Sequence, residues 1–352
     1  MAYVDPAGNN LNSIIADGQI FLNDGNDTVV ATFAGYVFVE GGTGNDHISR
    51  AASVAAGELY GGAGDDTIHG GLGEEWLYGG SGVDILSGGG SRDHLSGDDG
   101  NDDLFGGSGD DNLYGGEGAD ELMGDAHDDR LFGGDGSDTL KGGSGIDRMS
   151  GDDGDDHYEV TEGGDRVLEH ANEGKDTVFA NITYTLPVNV EDLILFDNAS
   201  RNGTGNALAN GMRGNTGSNE LRGLGGDDVL DGQDGVDTLI GGAGRDFLTG
   251  GASNDVFSYT ARSESVVGVN ADRILDFDDA GNDRINLSAL FGPAMTYRHN
   301  QAFTAPGQVR INDVAGADVI VEVNLVGTSG ADFAIRLTGT TLASMTASDF
   351  VL

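Results

Sequence analysis

Cysteine is absent from this chain of 352 residues, so no disulfide holds it, whatever its redox compartment. Basic residues are scarce as well: 17 Lys and Arg stand against 60 Asp and Glu, a formal charge of -43 at pH 7. That balance excludes nucleic-acid binding, which needs Lys and Arg against phosphate, and an anionic membrane surface would repel the chain. The longest apolar runs, such as Leu193 to Phe196 and Val319 to Val321, fall far short of the roughly 20 residues of a membrane-spanning helix. A membrane-active toxin, which needs long apolar helices, is therefore not expected. Met1 to Asn23 has neither a basic n-region nor an apolar core, so no cleaved N-terminal export signal is expected either.

Glycine, by contrast, is abundant at 63 residues, and its phase is fixed. Eleven nonapeptides run unbroken from Gly61 to Glu159, each close to Gly-Gly-x-Gly-x-Asp-x-U-x with U a large apolar residue. GGAGDDTIH (Gly61 to His69) sets the pattern, and GGSGVDILS, GGSGDDNLY and GGDGSDTLK repeat it. Five further units run from Gly214 to Ser258, the first weakened by Asn219 at position six, and single copies lie at Gly41 to Ser49 and around Asp27 and Asp176. A disordered acidic linker has no reason to keep position eight apolar. Yet Ile68, Leu77, Leu86, Leu95, Leu104, Leu113, Leu122, Leu131, Leu140, Met149 and Tyr158 do so without a gap. A strict short period of this kind is the mark of a solenoid.

The residue types specify the chemistry. The glycines allow backbone angles closed to other residues and let carbonyls converge, while the acid at position six supplies a hard anionic oxygen. The x-U-x tail reads as a very short strand with its single U side chain inward. Two nonapeptides then complete one circuit of a right-handed parallel β-roll, an all-β solenoid in which each turn stacks on the turn two repeats away. Two ladders of calcium ligands are predicted. One edge carries Asp66, Asp84, Asp102, Asp120, Asp138 and Asp156, and the other carries Glu75, Asp93, Asp111, Asp129 and Asp147. Asp27, Asp46 and Asp176 extend the pattern, and Asp228, Asp237, Asp246 and Asp255 repeat it in the second array. One apolar side chain per nine residues is a thin core, and stacked carboxylates repel, so multiple Ca2+ ions are expected to be needed for folding. The metal-free chain is expected to be largely disordered.

These repeats resemble the RTX family, the haemolysin-type calcium-binding repeats, over most of residues 20 to 258. The resemblance implies that turn carbonyls complete the calcium shell. It carries onto Gly62, Gly64, Gly71, Gly73, Gly80, Gly82, Gly89, Gly100, Gly107, Gly109, Gly116, Gly118, Gly134, Gly136, Gly143, Gly145 and Gly154, and in the second array onto Gly235, Gly242 and Gly244. Some units depart from the pattern: Glu75 replaces Asp, while Ser91, His127 and Ser253 replace the fourth glycine, and weaker or distorted sites are expected there. ADRILDFDDAGNDRINLSALF (Ala271 to Phe291) and ADFAIRLTGTTLASMTASDFVL (Ala331 to Leu352) resemble the end of serralysin-type proteases, where a β-roll is capped and an uncleaved secretion signal follows. Asp349, Phe350, Val351 and Leu352 match the acid-then-apolar ending of type I secretion substrates. The resemblance implies export by type I secretion machinery and an extracellular location; an ordinary terminal strand is the plainer reading of the same residues.

No catalytic motif was found in the sequence. Glu169-His170-Ala171-Asn172-Glu173 lacks the second His of a zinc protease. Ser81, Ser108 and Ser144 lie in the glycine turns without the spacing of a nucleophile elbow, and Gly174-Lys175-Asp176 is not a phosphate loop. His47, His94 and His157 fall at outward position seven. Trp76 and Tyr78 flank inward Leu77, so both are expected to face solvent or an insertion. Paired acids such as Asp65 and Asp66 read as a ligand and its solvated neighbour.

The expected organisation is an N-terminal cap of irregular coils over 1–60, a first roll over 61–159, a calcium-poor β-solenoid connector over 160–213, a second roll over 214–258, and a β-rich C-terminal cap with the secretion signal over 259–352. The leading functional expectation is a secreted, noncatalytic calcium-binding protein of cell surface or matrix. The alternative is a secreted enzyme or polysaccharide-binding module that uses the solenoid wall as its groove. Extracellular polysaccharide or a cell surface is the candidate partner.

Overall fold

The computed structural model describes residues 18–22, 24–31, 35–50, 54–278, 283–291, 295–314, 318–327 and 330–352. Residues 1–17 of the expected N-terminal cap lie outside the described residues, as do parts of 23–53 and of the C-terminal region. Among the described residues, regular structure is strand, apart from the three-residue 3-10 helix Ala347–Asp349. The chain forms two compact units, Met1–Thr177 and Val178–Leu352.

In the first unit alternate strands build two parallel sheets. One contains Gly57–Ala63, Glu75–Ser81, His94–Asp99, Asn112–Glu117, Arg130–Asp135 and Arg148–Asp153; the other contains Thr67–Gly71, Ile85–Gly90, Asp103–Ser108, Glu121–Ala126 and Thr139–Ser144. The registers pair Leu77 with Leu95, Leu113 with Leu131, Ile68 with Leu86 and Leu104 with Leu122. Each coil therefore stacks on the coil 18 residues away, as the doubled nonapeptide period predicts. The position-eight side chains from Ile68 to Tyr158 are fully buried and form the thin core.

The strands are longer than the three-residue tails read from the sequence. Asp103–Ser108 alternates half-buried and buried residues through Leu104 and Gly106 before it emerges at Ser108. The inward positions are thus position eight and the first glycine of the next repeat, as the two-residue alternation of a strand demands. The repeat pattern alone places that glycine in the turn.

The second unit begins with the same architecture. Tyr184–Thr185, Gly203–Thr204, Glu220–Gly225, Thr238–Ala243, Val256–Ser258, Arg284–Asn286 and Phe350–Val351 form one sheet. Opposite lie Asp192–Leu195, Gly211–Arg213, Val229–Asp231, Phe247–Thr249 and Asp272–Ile274. Asp272–Ile274 then pairs with Phe333–Thr338, which runs antiparallel to Asp318–Asn324, itself antiparallel to Gln308–Val314. Val309, Ile311, Val319, Val321, Val323, Phe333, Ile335 and Leu337 are fully buried in this hairpin system. An open coil end exposes unpaired backbone, and the meander covers it. Phe350 and Val351 pair with Ile285 and Asn286, and Thr346 and Asp349 cap the short helix before them.

Candidate metal centre

The position-six acids are buried in two continuous ladders. The amide of Asp66 donates to Oδ1 of Asp84 at 2.7 Å, and the same bond links Asp84 to Asp102, Asp102 to Asp120, Asp120 to Asp138 and Asp138 to Asp156. Asp27, Asp46 and Asp66 precede them in the same ladder, and Asp176 accepts from Asp156. On the other edge the bonds run from Glu75 to Asp93, Asp111, Asp129 and Asp147. In the second unit Asp228 bonds to Asp246 and Asp237 to Asp255. The structure therefore brings together in ladders every acid that the repeat singled out.

Oδ1 is used in this way, and Oδ2 is not. The Oδ2 atoms of Asp46, Asp66, Asp84, Asp93, Asp102, Asp111, Asp120, Asp129, Asp138, Asp147, Asp156, Asp228, Asp237, Asp246 and Asp255 are buried and have no hydrogen-bond partner among the described residues. A buried carboxylate oxygen without a donor or a cation is costly. Burial, with neighbouring carboxylates adding to it, pushes Asp93 and Asp228 up to about 8 and Asp84 and Asp237 up to about 7 in the metal-free protein.

The first glycine of each repeat makes the cradle. A Cβ on Gly97 would lie well inside 3.0 Å of both Asp102 Oδ2 and the carbonyl oxygen of Gly115. The same holds at Gly79 against Asp84 and the Gly97 carbonyl, and at Gly88 against Asp93 and the Gly106 carbonyl. An unpartnered carboxylate oxygen and a backbone carbonyl from the next coil thus face the same small space. This all-oxygen, partly anionic donor set suits Ca2+, which takes six to eight hard oxygens in flexible geometry, and does not suit metals that favour sulfur or imidazole. The residues fit the ion that the repeat implies.

The glycines named from the repeat occupy the neighbouring positions. Gly62, Gly80, Gly89, Gly107, Gly116, Gly134, Gly143 and Gly242 at position two, with Gly64, Gly82, Gly100, Gly109, Gly118, Gly136, Gly145, Gly154, Gly235 and Gly244 at position four, all have φ between +97° and +157°. Where Ser91, His127 and Ser253 replace the fourth glycine, φ stays positive but falls to 73°, 87° and 101°. The turn is kept, and its backbone moves toward the left-handed region that side chains tolerate.

Glu75 departs further. Its Oε1 is paired with the buried guanidinium of Arg50 at 2.5 Å, and its Oε2 accepts from the Gly71 amide. Gly71 and Gly73 do not take the positive φ of their counterparts. A guanidinium already compensates the charge of this turn, so it is not a copy of its neighbours.

Two turns of the second unit provide an internal control. Asn210 and Asn219 stand at position six, accept at Oδ1 from Asn206 and Asn215, and remain in the ladders by donating backbone amides to Asp228 and Asp237. Their Nδ2 groups donate to the carbonyls of Val190, Glu191 and Arg201. An amide nitrogen does what the carboxylate cannot, and these turns are satisfied without an ion.

Several ladder residues escaped the sequence reading. Asp165, Asp272 and Asp283 accept from Asp147, Asp246 and Asp255. The signal for two of them is present in Asp272-Arg273-Ile274 and Asp283-Arg284-Ile285, which keep the acid-x-U tail after longer loops of 26 and 28 residues. Trp76 and Tyr78, expected to face solvent or an insertion, lie on the outward side and are half-buried because they stack on the adjacent coils: Tyr78 on Tyr60 at 4.6 Å and Trp76 on His94 at 5.4 Å between ring centroids.

Comparison with known proteins agrees with this geometry. Residues 58–86, 78–113, 105–140 and 132–167 match the RTX calcium-binding nonapeptide repeat, and residues 216–352 match the peptidase M10 serralysin C-terminal family. The chain belongs to the RTX calcium-binding repeat proteins. No curated protein matches it. Among solved structures, this RTX chain is similar to the AlgE6R3 subunit of the Azotobacter vinelandii mannuronan C5-epimerase, at 34% identity over 41% of this chain and 78% of that one, with a TM-score of 0.34. The AlgE6R2 subunit of the same epimerase is 30% identical over 42% of this chain and 91% of that one, with a TM-score of 0.34. The extracellular lipase LipA from Serratia marcescens is 13% identical over 82% of this chain and 40% of that one, with a TM-score of 0.26.

Proposed function

We propose that this RTX protein is a secreted, noncatalytic structural element that folds when it meets extracellular calcium and then presents a long acidic surface at a cell surface or in a matrix. The observation that carries the reading is the row of buried Oδ2 atoms without protein partners, repeated at every regular turn. A chain built this way resists folding where calcium is scarce, because burying unneutralised carboxylates opposes it, and gains its cohesion where calcium is abundant. The serralysin C-terminal match supports type I export. In the folded protein Phe350 is buried and strand-paired, so export machinery would read Asp349 to Leu352 before folding. The test is secretion and calcium-dependent folding of the full chain. Deletion of Ala331 to Leu352 is expected to abolish export, and a chelator is expected to remove the β signal in circular dichroism. Full export of the truncated chain, or an unchanged spectrum in chelator, contradicts the reading.

A second reading, a polysaccharide-binding wall, rests on one sheet of the first unit. Tyr60, Tyr78, Tyr114 and Phe132 line one outward row, and Trp76, His94, Arg130, Arg148 and Arg166 fall in register on the next. Aromatic faces beside exposed guanidinium groups suit an anionic glycan. Calcium-loaded protein binding a polyuronate, with the binding lost in Trp76→Ala and Arg148→Ala, favours this role; no retention on immobilised polyuronate removes it.

A further inference from the structure

The first array does not end on a regular turn. Eighteen residues after Gly151, where the period calls for another first-position glycine, the chain carries Glu169. Its Oε1 lies 3.3 Å from the Gly151 amide. Tyr158, the one tyrosine at position eight of the array, brings its hydroxyl 2.5 Å from the same amide and donates to Glu169 Oε1. A tyrosine that is fully buried needs such a partner for its hydroxyl.

This slot admits a long side chain because the coil is expanded. Asp156 donates its amide to Asp176 across 20 residues, whereas each regular link spans 18. Asp156, Glu169 and Asp176 each place a carboxylate oxygen so that all three lie within 4.8 Å of one another. They are 0%, 8% and 1% exposed. An unpartnered buried atom points to a ligand: Asp156 Oδ2 accepts no hydrogen bond among the described residues and faces the spot beside Gly151 where, unlike at the regular turns, the Tyr158 hydroxyl also points. A Cβ on Gly151 would collide with both atoms.

We propose that Glu169 joins the ladder acids Asp156 and Asp176 in a three-carboxylate cation site that departs from the regular repeat sites, with Tyr158 orienting Glu169, and that it locks the irregular coil 160–176 onto the end of the first array. The donors are all hard oxygens, which selects Ca2+ or a lanthanide over thiophilic and imidazole-seeking metals. Three carboxylates converge here, with Glu169 coming from outside any nonapeptide. Ligand charge count raises calcium affinity, so this site fills before the repeat turns. The assignment of Glu169 and Tyr158 stands on this geometry; only the identity of the natural ion rests on the calcium reading above.

The test uses the full chain stripped of calcium and titrated with Tb3+ under tyrosine excitation, together with the Ca2+ stoichiometry of the folded protein. Wild type is expected to show an early, tyrosine-sensitised emission phase. Glu169→Gln, isosteric with a neutral glutamate, is expected to bind one ion fewer, or to bind it about tenfold or more weakly, and to lose that phase. Tyr158→Phe, which removes only a hydroxyl, is expected to keep the ion count and lose most of the early emission. Unchanged stoichiometry and emission in Glu169→Gln would show Glu169 to be a neutral hydrogen-bond partner only, and would overturn the proposal. Unaltered early emission in Tyr158→Phe overturns it as well, and does so even if the Gln variant fails to fold. Absence of ions from the whole array would instead refute the calcium reading, whereas loss confined to the early phase supports the site proposed here.

Discussion

Turns of one backbone design come in two electrical versions in this protein. At Asp228 and Asp237 the position-six side chain leaves a buried oxygen without a donor, while at Asn210 and Asn219, one coil earlier on the same ladders, an amide nitrogen donates to the carbonyls that surround it. The difference is one oxygen for one nitrogen. The asparagine oxygen faces the first glycine, as Oδ2 does in the aspartate turns, and accepts a local amide there, while the nitrogen takes the side on which an aspartate Oδ1 accepts the ladder bond. With the nitrogen as donor the turn closes its own hydrogen bonds, which two carboxylate oxygens cannot do. The Arg50–Glu75 pair shows a third solution, in which a side chain of the protein supplies the cation.

The largest test of that contrast is pH. Burial raises Asp66 to about 6, Asp84 to about 7 and Asp93, Asp129 and Asp228 to about 8, all from 3.8. A carboxyl raised on folding holds its proton in the folded chain after the unfolded chain has released it. Between pH 3.8 and about 8 the folded state therefore binds more protons, and metal-free stability falls as pH rises through that window. Chelated protein is expected to gain β structure and a higher Tm on acidification from pH 8 to pH 5, because many carboxylates act together. Calcium-loaded protein is expected to lose Tm over the same interval, since protons compete with the ion. Thermal melts at matched ionic strength check both signs.

Next in size is the cradle. Gly97→Ala places a methyl against Asp102 Oδ2 and the Gly115 carbonyl, and is expected to cost about 1–3 kcal/mol and to weaken calcium binding. Gly90→Ala, a third-position change whose nearest neighbours are 3.5 Å away, is expected to stay within about 0.5 kcal/mol of wild type. Denaturant melts in calcium compare the two directly. Equal effects would mean that the first glycine serves chain flexibility and not the carboxylate.

Smaller effects come from exchanging the two versions of the turn. Asp111→Asn is expected to raise metal-free stability by about 1 kcal/mol through the new donor, and to weaken calcium binding at its turn. Asn219→Asp is expected to do the reverse, adding calcium-dependent stability to a turn that lacks it. Melts at limiting calcium and calorimetric calcium titrations of the two variants are expected to move in opposite directions.

Much of this was legible in the sequence because a period of nine constrains position and chemistry at once. Position eight gave the core, position six gave the ladders, and doubling the period gave the 18-residue register. The role of the first glycine was hidden because strand alternation continues one residue further than the apolar pattern shows: Gly106 points inward like Leu104, and only the structure reveals what occupies the room it leaves. Glu75 read as a weakened ligand because its partner Arg50 lies 25 residues away in an irregular coil with no period to follow. Glu169 stands in a stretch that fails as a zinc motif, and the expansion that gives it space shows in the coil length and not in any local pattern. The antiparallel strands after Gln308 were expected only as β-rich text, because alternation of apolar residues does not distinguish parallel from antiparallel pairing.

The central claim is that calcium, held by the unpartnered carboxylate oxygens, supplies the cohesion of the regular coils. Amide hydrogen exchange of the full chain with and without calcium tests it residue by residue. Removal of calcium is expected to open the amides of Asp84, Asp93, Asp102, Asp111, Asp120 and Asp129 by about 100-fold or more, the shift that an ion at about 100 times its Kd imposes. Equal protection of these amides in chelator and in calcium, at neutral pH, would contradict the account.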